Sequence, residues 1–153
     1  MGAVLDHAVL LRPGTAEDAG FIERLSRQAF SVFDPDAGIR MLLLARKDGV
    51  VTRVAARGGE RLGFVMLEFA SGGAWVQAIA VDAKERGQGV GGKLMAAAIR
   101  IARQAGAPRL RLTTAQANVE ALELFVKCGF AIERRLPRYY SGGQDACVLG
   151  RAL

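Results

Sequence analysis

The spacing of apolar residues divides the chain into strand-like and helix-like stretches punctuated by glycine and proline. A short apolar run, Val9 to Leu11, ends in a turn. Thr15 followed by Asp18 has the form of a helix N-cap with an acid in the first turn. Phe21, Ile22 and Leu25 then share one face of a helix. Past a loop at FDPDAG, the stretch IRMLLLARK fits a short helix or a strand. Two glycine pairs, Gly58-Gly59 and Gly72-Gly73, divide three runs of β-type residues, which predicts an antiparallel meander. Helical spacing returns at Val90, Leu94, Ala97 or Ala98, and Ile101, and stops at Gly106-Ala107-Pro108. LRLTT reads as a strand. Asn118 caps a helix whose apolar side holds Ala121, Leu122, Phe125 and Val126, and Gly129 closes it. AIERRL and ACVLGRAL read as strands around the turn SGGQD. The order β-α-(α)-β-β-β-α-β-α-β-β predicts one α+β domain over residues 1–153, with mixed pairing where helices separate strands.

Composition narrows the partners. A chain of 153 residues suffices for one real core and is short for two. No apolar run approaches the ~18 residues of a membrane span. The N-terminus MGAVLDHAVL lacks a basic segment ahead of an apolar one, and Asp6 stands where myristoylation wants Ser or Thr, so the expected location is the cytoplasm. Cys128 and Cys147 sit in apolar contexts and read as buried free thiols. With His7 as the sole histidine, a zinc site or a Cys–His nucleophile pair has almost nothing to be built from. The net charge of +6 suits a polyphosphate ligand, an acidic substrate or nucleic acid. Apart from ERRLPR the positive residues are dispersed, with no aromatic-interleaved stripe, which disfavours nucleic acid.

The stretch ERGQGVGGKLM places four glycines within six residues at the start of a helix. Each costs about 1 kcal/mol against alanine in a helix interior. The usual reason for such a cluster is a backbone that approaches something closely, often a phosphate at a helix N-terminus. Gly87 to Gly92 matches G-x-G-x-x-G, yet the region where a dinucleotide site needs its acid is PRLRLTTAQ, which has none. Gly87 to Lys93 matches G-x-x-x-x-G-K, but Leu94 stands where a P-loop needs Ser or Thr. A tight ligand-free turn is the remaining alternative, although one glycine would serve it.

Arg86-Gly87-Gln88-Gly89-Val90-Gly91, directly after WVQAIAV, resembles the acyl-CoA-binding signature of the GNAT acetyltransferase superfamily. NVEALELFVKCGF resembles that family's second block, with Asn118, Ala121, Leu124, Lys127, Gly129 and Phe130 in register. The resemblance covers nearly the whole chain. It implies the GNAT fold, a mixed and mostly antiparallel central sheet flanked by helices. It also implies acetyl-CoA as cosubstrate, an amine acceptor, direct acetyl transfer and no metal. Backbone groups of Ile79, Ala80 and Val81 would pair with pantetheine, the Val81 N–H lying near the thioester oxygen. Arg86, Gly87, Gln88, Gly89, Val90, Gly91 and Gly92 would surround the pyrophosphate. Asn118, Phe125 and Lys127 would complete the CoA site from the second block.

The family commonly carries a tyrosine, the proton donor to the leaving thiolate, where this chain has Phe125, which cannot donate. Either another group serves, for which Tyr139 and Tyr140 are the candidates unless they only pack the hairpin, or the step goes unassisted. The two tyrosines lie in PRYYSGGQDACVLGRAL, which resembles the C-terminal end of ribosomal-protein and other N-terminal α-amino acetyltransferases, where such tyrosines shape a peptide slot. That subgroup favours a glutamate at the position of Thr113. For the base, Glu68 and Gln77 lie on strands that can face the acceptor; the alternatives are an exposed strand position for Glu68 and a bound water as the proton relay. In the acceptor loop, Phe30, Phe33, Asp34 and Asp36 either meet a cationic amine or, for Asp34-Pro35-Asp36, form a turn. Many relatives pair through their C-terminal strands, so VLGRAL offers a homodimer contact. The rival reading is an acyl-CoA-binding domain without transferase activity, to which the missing tyrosine points.

Overall fold

The computed structural model describes residues 8–70 and 72–153; His7 lies outside them. The elements follow the predicted order: β1 (Leu10–Pro13), α1 (Ala19–Phe30), α2 (Ala37–Ala45), β2 (Val50–Arg57), β3 (Glu60–Ala70), β4 (Gly73–Val81), α3 (Val90–Gln104), β5 (Arg109–Ala115), α4 (Val119–Lys127), β6 (Ala131–Leu136) and β7 (Ala146–Ala152). The ambiguous IRMLLLARK is helical, because Ala37 and Met41 recur one turn apart and both are buried. No described helix is long and apolar enough to cross a membrane.

The seven strands form one sheet in the order β1-β2-β3-β4-β5-β7-β6. Every neighbouring pair is antiparallel except β4 and β5, whose connection runs through α3. Two apolar layers cover it. On one face Val65, Leu67, Val76, Leu110, Leu112 and Leu149 pack under Val90, Leu94, Met95 and Ala98 of α3 and Phe125 of α4. On the other, Val54, Phe64, Met66, Ala78 and Ala80 pack under Phe21, Ile22 and Leu25 of α1 and Met41 of α2. One expectation needs correction. Val126 is 58% exposed; Ala121, Leu122, Leu124 and Phe125 already complete the inward stripe of α4, and the next residue turns to solvent. β7, which carries VLGRAL, lies between β5 and β6, and β6 is the edge strand at that end of the sheet.

The sheet parts in its middle. The parallel ladder joins β4 to β5 only at Ala74–Leu110, Trp75–Arg111 and Val76–Leu112. Beyond it β4 stays with β3 as far as Val81, and β5 stays with β7 as far as Ala115. The parting coincides with a bulge. Leu67 pairs with Val76 and Met66 with Ala78, so Gln77 has no residue opposite it. A bulge bends and twists its strand, and this one also inverts the alternation of β4. Ala74 and Val76 join the α3-side core before it; after it Ile79 and Val81 face that side, and Ala78 and Ala80 face α1.

Asp18 does more than cap. It ends a 3-10 turn, Ala16–Asp18, that leads into α1, and its Oδ2 accepts the Thr15 N–H at 2.8 Å. The carboxylate is fully buried and takes two bonds from Arg12, at 2.8 and 2.7 Å, and one from Arg61 Nε at 2.7 Å. It therefore ties β1, β3 and the start of α1 together. The Arg12 hydrogen bonds outweigh the opposing effect of burial and, with Arg61 and the Thr15 N–H, hold this carboxyl well below the usual carboxylate range. The folded state thus releases this proton more readily than the unfolded state. Its contribution is full above the ordinary carboxylate pKa near 4 and is lost as pH falls below it. Asp18→Asn should cost about 3 kcal/mol, the low end for a broken buried pair, because both arginines keep partial exposure. Urea denaturation at neutral pH measures that loss, and the variant's stability should fall less steeply than the wild type's below pH 4.

Candidate active site

Past the parting, β4 runs into the glycine turn. The Asp82 N–H bonds Leu62 O at 2.8 Å, and the Asp82 side chain accepts the Lys84 N–H at 3.2 Å, which sets a short 3-10 turn. Gly87 and Gly89 then take left-handed backbone, φ 79° and 81°, where a side chain is strained. The first bond of α3 runs from the Lys93 N–H to Gly89 O at 3.2 Å. The N–H groups of Val90, Gly91 and Gly92 precede it and have no helical carbonyl to meet. The N-cap is a glycine without a side chain, and the first turn holds no acid. The positive end of a fifteen-residue helix is thus left uncompensated, which suits an anion.

The glycines divide the work. A Cβ at Gly91 would stand 3.1 Å from Leu124 Cδ2 and 3.8 Å from Val81 Cγ2, so this glycine lets α3 pack close to α4 and β4. At Gly92 a Cβ would meet nothing within 4 Å. A bare turn accounts for Gly87 and Gly89 but not for a glycine in that open position.

From the second block, Asn118 is half-buried and caps α4, its Oδ1 accepting the Ala121 N–H at 3.3 Å. Arg86 reaches Glu120 at 3.9 Å across the gap between turn and helix, both exposed. Phe125 is buried against Phe130, with ring centroids 6.3 Å apart. Lys127 is exposed, one turn beyond Leu124.

The other sheet face carries the remaining candidates. Glu68 is held at the bulge: Gln77 Nε2 donates to its Oε1 at 3.0 Å, and Lys47 Nζ lies 2.5 Å from its Oε2. Trp75 stands opposite Glu68 on one side and Arg111 on the other. Separately, the α1–α2 and β6–β7 loops meet. Gln144 Nε2 donates to Val32 O at 3.3 Å, and the rings of Phe33 and Tyr140 lie 5.4 Å apart. Tyr140 is half-buried with the exposed Tyr139 edge-on at 4.9 Å. Burial, with smaller contributions from Tyr139 and Cys147, pushes the Tyr140 phenol up to about 12. It therefore stays a hydrogen-bond donor at any physiological pH. Asp34 is spent locally, on Arg40 at 2.7 Å and the Asp36 N–H at 3.1 Å, which makes Asp34-Pro35-Asp36 a turn.

Sequence reasoning passed over Lys47 and Gln144. Neither has a motif; the first is found only through the β2–β3 register and the second only through the meeting of two distant loops.

The family model of the acetyltransferase (GNAT) family matches residues 19–130. The chain belongs to the GNAT family. Among curated proteins, N-alpha-acetyltransferase 30 of Schizosaccharomyces pombe is 33% identical over 72 residues, which cover 47% of this chain and 48% of that protein. The match thus spans about half the length of that relative. Among solved structures, Ard1 from Thermoplasma volcanium superposes with a TM-score of 0.85 at 28% identity, over 95% of this chain and 98% of that one. The ribosomal-protein-S18-alanine N-acetyltransferase from Escherichia coli superposes with a TM-score of 0.83 at 19% identity, over 95% and 94%. As in the GNAT fold, a mostly antiparallel sheet is flanked by helices, with the glycine turn following the strand that leaves its neighbour.

Two glycine substitutions should move stability in opposite directions. Gly89→Ala should cost about 1–2 kcal/mol for its left-handed backbone. Gly92→Ala, with open space around it, should raise stability by about 0.5 kcal/mol through helix propensity. Thermal unfolding of both variants checks the sign of each.

Proposed function

We propose that residues 1–153 act as one N-acetyltransferase domain that moves an acetyl group from acetyl-CoA directly to an amine, either a small-molecule amine or a protein N-terminal amine. One observation carries this reading: the strand edge freed by the parting of β4 runs straight into the uncovered N-terminus of α3. A single run of chain thus offers unpaired backbone groups to pantetheine and free N–H groups to pyrophosphate.

In this reading Ile79, Ala80 and Val81 pair through their backbone, with the Val81 N–H toward the thioester oxygen. Arg86, Gly87, Gln88, Gly89, Val90, Gly91 and Gly92 form the phosphate seat. Asn118 borders it, Phe125 supplies an apolar wall and Lys127 adds positive charge. The cosubstrate supplies an activated acetyl group, and the protein's task is to place an unprotonated amine against it. Glu68 receives the ammonium proton. Tyr140 is the donor to the leaving sulfur, with Tyr139 packed on its edge. Tyr140 offers the O–H that Phe125 lacks, and this supports a transferase over a domain that only binds CoA. The α-amine class is supported by the S. pombe relative's name. A cytoplasmic setting provides acetyl-CoA and keeps the free thiols of Cys128 and Cys147 reduced.

The test is thiol release from acetyl-CoA by the purified chain, offered simple amines and free-N-terminus peptides. Turnover is expected with at least one acceptor. Tyr140→Phe should lower kcat by about 10²-fold, the lower range for general acid catalysis, with the KM for acetyl-CoA little changed; Tyr139→Phe should lower it less. Because the acid must be protonated, Tyr140 should impose no basic limb on kcat until pH approaches about 12. Acetyl-CoA binding without thiol release to any amine would leave the binding-only reading in its place.

A further inference from the structure

The Lys47–Glu68–Gln77 cluster belongs neither to the apolar layers nor to the glycine turn. Leu67 and Phe69 pack on the α3 side of β3. Glu68, between them, therefore points to the opposite face, the one that α1 and α2 cover. Its side chain is 15% exposed, and a carboxylate so far withdrawn from water needs a cation or donors. Its two partners differ in kind. Gln77 projects from the bulge of β4, and its 3.0 Å bond fixes the plane of the carboxylate. Lys47 comes from the connection between α2 and β2, with its side chain 60% exposed, and sets a primary ammonium 2.5 Å from Oε2. A fixed, half-buried carboxylate thus holds the ammonium of a mostly solvated side chain at the point where the strands part.

We propose that the Glu68 carboxylate is the seat for the acceptor's primary ammonium group, and that Lys47 occupies it in the free protein as an internal stand-in that the acceptor displaces. Calling the ligand an acceptor rests on the transferase reading; the ammonium seat itself does not. Exchange of one ammonium for another leaves the carboxylate paired throughout, so no bare buried charge arises on binding. Neutral molecules of the same shape gain nothing at Oε2. Lys47 lowers the affinity for any ammonium ligand by the strength of its own ion pair.

Butylammonium chloride is the probe, titrated into the full-length protein at constant ionic strength. The side-chain amide signals of Gln77 are followed by nitrogen–proton NMR, with butanol as the neutral control. Butylammonium should shift the Gln77 amide saturably and butanol should not. Lys47→Met keeps the aliphatic stem and removes the competitor, so it should tighten butylammonium binding by up to about 5-fold, the scale of a partly exposed ion pair. The near-isosteric Glu68→Gln should abolish saturable binding. Unchanged or weaker binding in Lys47→Met, or binding retained in Glu68→Gln, overturns the proposal; should Glu68→Gln not fold, Lys47→Met and the butanol control decide it. The readout needs no turnover. Loss of this binding pattern with thiol release intact therefore defeats the ammonium seat alone, and the converse defeats the transferase reading alone.

Discussion

The site depends on the parting of β4 from β5 at the Gln77 bulge. One extra residue in β4 removes one register position against β3 and inverts which face each later residue presents. From this follow an unpaired strand edge on the inside of the sheet, a turn that delivers α3 to the α3-side face, and a polar residue at the mouth of the cleft. An unpaired interior edge is costly unless something pairs with it. The fold carries that cost at the place where an extended ligand can complete the ladder.

Charge is sorted to either side of that opening. The α3 side presents a helix start with no acid in its first turn, with Arg86 and Lys93 nearby in sequence. The opposite side presents Glu68, withdrawn from water and paired. A helix start suited to an anion and a carboxylate suited to a cation thus lie on opposite faces of the sheet. The buried Asp18 pairs with arginines of β1 and β3 and anchors the start of α1, the helix that packs on Val54, Phe64 and Met66.

The element order was readable because it rests on local periodicity and on glycine at strand and helix ends. The glycine turn was readable for a similar reason: left-handed backbone at Gly87 and Gly89 excludes other residues, so the requirement is written in residue type. Gly91 belongs to a different cause, close packing on Leu124, which only the tertiary structure shows. The face opposite α3 was less readable because its contacts join positions far apart in the chain. Lys47 meets Glu68 through strand register, Phe33 meets Tyr140 through two loops, and Gln144 reaches Val32 across most of the sequence. The inward stripe of α4 was drawn too wide because apolar residues such as Val126 also lie on surfaces.

Calorimetric titration of the purified protein with acetyl-CoA, with ATP and NAD as controls, tests most directly whether the open edge of β4 and the glycine turn form one CoA site. Saturable binding of acetyl-CoA, with ATP and NAD weak or silent, is the predicted result. No acetyl-CoA binding, or a preference for either nucleotide, would contradict it.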